Sequence, residues 1–222
     1  LILIVIYLNR AYAYFYDFLD QHYLSAPVFE TPATQSNLPT IKYIALGDSL
    51  TAGVGVSDYK NSYPYLIAQK LSLKNNVELT NLSHTGDTSS DVLTKLPQVL
   101  SQKPDLITLF IGVNDIHNLK SQAEFENNYT QIVSTLKISG AKIYLLSIPY
   151  LGSEKIVFFP YNLILDLKTK QFNNVIKKVS LDIGAEYIDL NALDKSANFY
   201  SSDQFHPGES GYKEWAKAIN VN

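Results

Sequence analysis

A chain of 222 residues with 46% hydrophobic and 18% charged side chains has the length of one domain plus an appendage and the composition of a globular protein, not a disordered one. Eighteen Lys and Arg against 21 Asp and Glu leave a formal charge of −3, without the basic excess of a nucleic-acid binder. No cysteine occurs, which excludes a disulfide framework, thiolate metal sites and a Cys nucleophile within this sequence.

The chain opens on an unbroken apolar run, Leu1 to Leu8, followed by Asn9 and Arg10. As a helix that run rises only about 12 Å, short of a ~30 Å hydrocarbon core. No Met is present, so residue 1 is not expected to be a translation start. Residues 1–23 are therefore expected to be the end of a trimmed membrane anchor or signal, the alternative being an apolar arm lying on the domain. Residues 24–40 carry Pro27, Pro32 and Pro39 among Ser, Thr and Ala and read as an extended linker. The folded domain is then 41–222.

From Ile41 onward short apolar runs alternate with amphipathic stretches. Strands are predicted at 41–47, 77–82, 105–111, 142–148 and 186–189. The third and fourth are nearly continuous in Ile, Leu, Phe and Tyr, as expected of strands covered on both faces. Between them lie helical stripes: Tyr63, Leu66, Ile67 and Leu71; Val92, Leu93, Leu96, Val99 and Leu100; Phe125, Tyr129, Ile132, Val133 and Leu136. A longer stripe runs through Leu165, Phe172, Ile176 and Val179, and a last one through Tyr212, Trp215, Ala216 and Ile219. Such alternation predicts an α/β fold with a parallel sheet between two helical layers. Ligands of these sheets sit beyond the carboxyl ends of the strands.

Polar clusters stand at those ends: Gly47-Asp48-Ser49-Leu50, Ser83-His84-Thr85-Gly86-Asp87, Gly112-Val113-Asn114-Asp115 and, near the C-terminus, Asp203-Gln204-Phe205-His206-Pro207. Together they hold the parts for acyl transfer. A serine hydroxyl becomes a nucleophile at neutral pH when a base takes its proton, and a carboxylate behind an imidazole fixes the tautomer. Ser49, His206 and Asp203 are the candidates. The oxyanion of a tetrahedral intermediate needs donors, which the backbone N–H groups of Ser49 and Gly86 and the amide of Asn114 can supply. Asp48 and Asp115 are read as loop-bracing acceptors, and His84 and His117 as non-catalytic.

These segments resemble the SGNH/GDSL hydrolase family. IALGDSLTAG at 44–53 matches its first block and implies Ser49 as nucleophile. NLSHTGDTSSDVL at 81–93 implies Gly86, and GVND implies Asn114, as oxyanion donors, while DQFHP implies Asp203 and His206 as acid and base. The stretch GDTSSDVL is similar to the branch with bacterial acyl-CoA thioesterase and lysophospholipase enzymes. The resemblance covers residues 41 to about 219. It implies a three-layer α/β/α, flavodoxin-like sandwich with five parallel strands and a monomer; the expected mechanism uses no cofactor, and with no HExxH or comparable ligand cluster no metal is expected.

The expected activity is cleavage of carboxylic esters or thioesters of small molecules or lipids through an acyl-serine. The alternatives are a carbohydrate O-deacetylase and a non-catalytic glycan- or lipid-binding module. Val157, Phe158 and Phe159, with Tyr150, Leu151 and Tyr161 beside them, are the candidate acyl-chain site, unless they merely anchor their loop to the core. Gly208-Glu209-Ser210-Gly211 lacks the last glycine of a nucleophile elbow, and Ser210 is read as a helix cap. The apolar N-terminus and Pro-rich linker fit an extracytoplasmic enzyme, membrane-tethered or secreted.

Overall fold

The computed structural model describes residues 2–28, 38–149, 151–193 and 198–221. Most of the expected linker (29–37) and Tyr150 lie outside the described residues. In chain order the elements are α1 (Ile2–Gln21), β1 (Thr40–Gly47), α2 (Ser49–Ala52), a 3₁₀ turn (Tyr59–Asn61), α3 (Tyr63–Leu71), β2 (Asn76–Asn81) and α4 (Ser89–Ser101). There follow β3 (Leu106–Phe110), α5 (Val113–His117), α6 (Gln122–Lys137), β4 (Lys142–Leu146), α7 (Tyr161–Ile183), β5 (Glu186–Ile188) and α8 (Glu209–Ala218).

All five strands pair in parallel in the order β2-β1-β3-β4-β5. Burial follows that order. Every residue of the central β3 is buried, and β1 is buried from Tyr43 onward, whereas the edge strand β5 keeps no fully buried residue. The one polar pair inside the central strands is satisfied: the hydroxyls of Tyr43 and Thr108 lie 2.9 Å apart.

The predicted helical stripes become the two outer layers. On one side α6 and α7 pack against each other with the Phe125 and Phe172 rings stacked at 4.2 Å, and α4 lies alongside α6. On the other, α3 meets α8 through Tyr63 and Trp215, and Trp215 reaches Phe110 of β3. Gly208, not Ser210, is the cap residue of α8; Ser210 sits inside its first turn.

The N-terminal segment falls into two halves. Residues 2–21 form one helix whose second half is laid onto the domain. Ala11 and Phe15 are fully buried in the common core, with Leu8 and Leu19 packed beside them. Those four positions, spaced three, four and four apart, form a single helical face. The first half of α1 is different, with Leu3, Ile4, Val5, Ile6 and Tyr7 exposed. Among the described residues no helix is long and apolar enough to cross a membrane.

Strand order 2-1-3-4-5 places the sheet's topological switch between β1 and β3, where chains leave the carboxyl edge in opposite directions and open a crevice. Ser49 follows β1 and Asn114 follows β3.

Candidate active site

Ser49 is the first residue of α2, and Asp48 is that helix's cap. The Asp48 carboxylate accepts from the Leu50 N–H at 3.0 Å. Its other oxygen is buried and has no hydrogen-bond partner among the described residues. Burial pushes the Asp48 carboxyl well above the usual carboxylate range, and the charges of Asp115 and Asp87 add to that effect. Asp48 thus serves as the cap acceptor of the helix that Ser49 opens.

The segment after α2 carries Ser49 to the far end of the chain. Gly55 adopts φ +107, and a Cβ there would lie 2.2 Å from the Pro207 carbonyl and 3.1 Å from His206 Cβ. Only glycine combines that φ with so close an approach. The Tyr212 hydroxyl of α8 donates to the Val54 carbonyl at 2.7 Å, and Asn61 donates to Glu209 at 3.0 Å. These contacts bring together residues 157 apart in sequence: His206 Nε2 lies 2.9 Å from Ser49 Oγ.

Behind the imidazole, Asp203 Oδ2 lies 2.6 Å from His206 Nδ1. An ionised carboxylate only accepts, so Nδ1 carries the proton and Nε2 is left as the acceptor facing the serine. The second oxygen, Oδ1, accepts from Ser201 Oγ at 2.7 Å and from the backbone N–H groups of Phe205 and His206 at 3.0 Å each. Burial alone would raise the Asp203 carboxyl. The hydrogen bond and charge of His206, with the donors from Ser201 and Phe205, outweigh it and hold the group below its ordinary value. Asp203 therefore stays charged, as an imidazole-orienting group must.

Gly86 and Asn114 line the same cavity as Ser49 and His206. Gly86 has φ +89, and a Cβ on it would meet nothing within 4 Å, so its backbone borders open space. Asn114 donates one amide hydrogen to the Asp87 carbonyl at 2.9 Å, which aims the group and leaves a second hydrogen available. The Asn114 helix is braced from below: buried Asp115 accepts from Ser89 N at 2.8 Å and Ser89 Oγ at 2.5 Å, with Lys120 at 3.6 Å. His84 is largely exposed, 3.9 Å from Asp87. A serine hydroxyl facing a tautomer-locked imidazole, beside several N–H donors, can attack a carbonyl carbon and hold the resulting oxyanion.

Residues 45–214 match the GDSL-like Lipase/Acylhydrolase family. The chain belongs to this family. It is 36% identical over 110 residues to an arylesterase of Vibrio mimicus, an alignment covering 48% of this chain and 54% of the relative. It is 33% identical over 106 residues to thioesterase 1/protease 1/lysophospholipase L1 of Escherichia coli K12, covering 47% and 50%. The aligned region thus spans about half the length of these curated relatives. The crystal structure of TesA superposes with a TM-score of 0.67 at 22% identity, over 80% of this chain and 95% of that one, which shows the shared fold.

In this family member the cavity at the serine measures about 250 Å³. Val157, Phe158 and Phe159, the expected acyl-chain residues, are not among its lining residues. Val157 is buried in the core beside Leu151 and Ile156, while Phe158 turns outward against Tyr14 of α1 and Phe159 is 64% exposed. Their loop instead supports the His206 loop from outside: Ser153 N donates to the Gln204 carbonyl at 2.8 Å, and the Tyr200 hydroxyl donates to the Gly152 carbonyl at 2.8 Å. That support matters because Gln204, between Asp203 and His206, holds φ 59, a left-handed conformation that costs a non-glycine residue roughly 1 kcal/mol.

Most of the apolar lining comes from the N-terminus, through Phe15, Tyr16 and Leu19 of α1 and then Tyr23 and Leu24, with Phe205 beside them. The sequence reading missed these residues. The face through Leu8, Ala11, Phe15 and Leu19 was the available signal, hidden beside an eight-residue run with no polar side to contrast. His117 lines the cavity as well, its ring stacked under Phe15 at 5.2 Å. Its Nε2 is covered and has no hydrogen-bond partner among the described residues. Burial, with a smaller contribution from the nearby His206, pushes this imidazole down to about 4, so it is neutral near pH 7. Among the described residues no group of three His, Asp or Glu side chains could hold a metal ion.

Proposed function

We propose that the chain is a serine hydrolase cleaving carboxylic ester or thioester bonds of acylated small molecules or lipids. The observation that carries this reading is Ser49 Oγ at 2.9 Å from His206 Nε2, with Asp203 at 2.6 Å from Nδ1. Ser49 Oγ attacks the acyl carbon while its proton passes to Nε2. The carbonyl oxygen becomes an oxyanion held by the Ser49 and Gly86 N–H groups and the free amide hydrogen of Asn114. Collapse of this intermediate expels the alcohol or thiol, which takes the proton from His206. Water then enters, gives its proton to His206, attacks the acyl-serine and releases the acid, restoring Ser49. Asp203 holds the tautomer throughout and stabilises the imidazolium without taking its proton.

The names of the relatives, an arylesterase and a thioesterase/lysophospholipase, support the ester and thioester scope. A fluorophosphonate probe tests the reading: Ser49 takes the label covalently and Ser49→Ala does not. A wild-type chain that stays unlabelled and releases no alcohol from any activated ester defeats it, and would favour a binding module instead. Hydrolysis confined to acetyl esters, with acetylated xylan preferred, would favour the carbohydrate deacetylase.

We also propose that the enzyme works at a membrane surface outside the cytoplasm. The exposed apolar start of α1 and the exposed rings of Phe158 and Phe159 support the membrane contact, and the apolar N-terminus joined to a Pro-rich stretch supports the extracytoplasmic side. Sedimentation of the full chain with phospholipid vesicles tests it, and no co-sedimentation at any lipid concentration counts against it.

A further inference from the structure

The polar and apolar linings of the cavity have separate origins. Ser49, Gly86, Asn114 and His206 come from the segments that follow β1, β2, β3 and β5, within the family-matched region, 45–214. Most of the apolar lining comes from residues 15–24, upstream of that region, with Phe205 added from within it. Helix α1 is therefore an addition to the matched fold that closes one side of its reactive centre.

How α1 is docked makes it a defined wall. Phe15 stacks on His117 at 5.2 Å and meets Phe205 edge-on at 5.7 Å. Phe205 precedes His206, and His117 lies one turn along α5 from Asn114. The ring thus rests on the two loops that carry the base and the amide donor. Leu19, one turn further along α1, is carried on the same face to the cavity. Leu24 follows after the helix ends at Gln21. The His117 ring beneath this wall is neutral, so the apolar side carries no charge that would attract a phosphate or carboxylate.

We propose that α1 is the acyl-chain wall of this enzyme, with Leu19 and Leu24 touching the alkyl tail of the ester and setting the chain length it prefers. This rests on the reading of Ser49 as the nucleophile and goes on to name the substrate class: esters of aliphatic acids longer than acetic. A cavity of about 250 Å³ is more than an acetyl group fills, yet it lies just below the ~300–1,000 Å³ usual for small-molecule sites. Short to medium alkyl chains fit. An acetylated sugar, which needs many hydrogen-bonding partners around its hydroxyls, does not suit a wall made of Phe, Leu and Tyr.

The test is the ratio of kcat/KM for p-nitrophenyl octanoate to that for the acetate, measured on the full chain. In the wild type, kcat/KM climbs by up to about fourfold per added methylene until the cavity is filled. Leu19→Trp blocks the tail and lowers the octanoate-to-acetate ratio roughly tenfold or more. Leu19→Ala and Leu24→Ala remove contacts without adding bulk, so they remain informative if the tryptophan variant does not fold. Each lowers the ratio by about threefold or more. Leu3→Ala, on the exposed far end of the same helix, keeps the wild-type ratio. Folded Leu19 and Leu24 variants with the wild-type ratio overturn the proposal, as does an equal loss on both esters. In either case wild-type turnover and Ser49 labelling leave the hydrolase reading standing. A wild type without turnover or labelling removes that reading itself.

Discussion

Two linings of one cavity meet at Ser49, and they are held by different forces. The strand-end lining is fixed by directional bonds: Asp203 accepts four hydrogen bonds, Asn114 is aimed by the Asp87 carbonyl, and Asp115 anchors the helix beneath it. The α1 lining is fixed by ring packing of Phe15 on His117 and Phe205. Hydrogen bonds demand particular donors and acceptors at particular positions, so they leave a motif in the sequence. Packing demands only apolar bulk of suitable volume, so it leaves a weak one.

This contrast can be broken from either side. The largest effect belongs to the polar lining. Ser49→Ala lowers kcat on an activated ester by at least ~10³-fold, and His206→Ala does the same, while thermal unfolding stays near wild type. Retained turnover in either variant would contradict the proposed roles outright.

On the apolar side the largest effect is on stability. Phe15 is completely buried, so Phe15→Ala costs about 3–5 kcal/mol, which chemical denaturation reads directly. A loss below ~1 kcal/mol would mean that α1 is only loosely laid on the domain.

A third effect links the two linings through pH. His117 is held down to about 4 in the folded chain against 6.5 for a free imidazole. Between those values the unfolded chain binds the proton and the folded one does not. This group's contribution is therefore complete above about pH 6.5 and declines as the pH falls toward 4. His117→Phe should flatten that acid-side decline in melting temperature. An NMR titration of the wild type should show one imidazole that stays neutral down to about pH 5. An identical acid-side slope in wild type and variant would show that some other group carries it.

The smallest effect is expected at His84, which touches the site loop but remains exposed. His84→Ala should change kcat/KM by no more than about twofold. A drop as large as that of His206→Ala would reassign the base.

Much of the fold and most of the reactive centre were legible because they rest on short-range rules. Buried parallel strands read as Ile, Leu, Phe and Tyr runs at 106–110 and 142–146, and the boundaries differ from expectation by one or two residues. Polar clusters had to follow them at the sheet's carboxyl edge. The cavity's apolar lining was not legible for the opposite reason. Val157, Phe158 and Phe159 are all apolar and adjacent, yet one is buried, one lies against α1 and one faces solvent. Nothing in their order tells these fates apart, since each depends on what the loop folds against.

What the sequence determined by itself is a set of parts: an alternation that builds a parallel sheet, and four polar blocks whose residue types suit acyl transfer. What only the tertiary structure decided is the shape around that chemistry. The approach of His206 to Ser49 across 157 residues needs Gly55 to let two backbones nearly touch. The apolar face of the first helix acquired its meaning only once it had a surface to cover. Hydrophobic burial has no direction of its own, so which atoms it brings to the reactive centre is settled by how the whole chain closes.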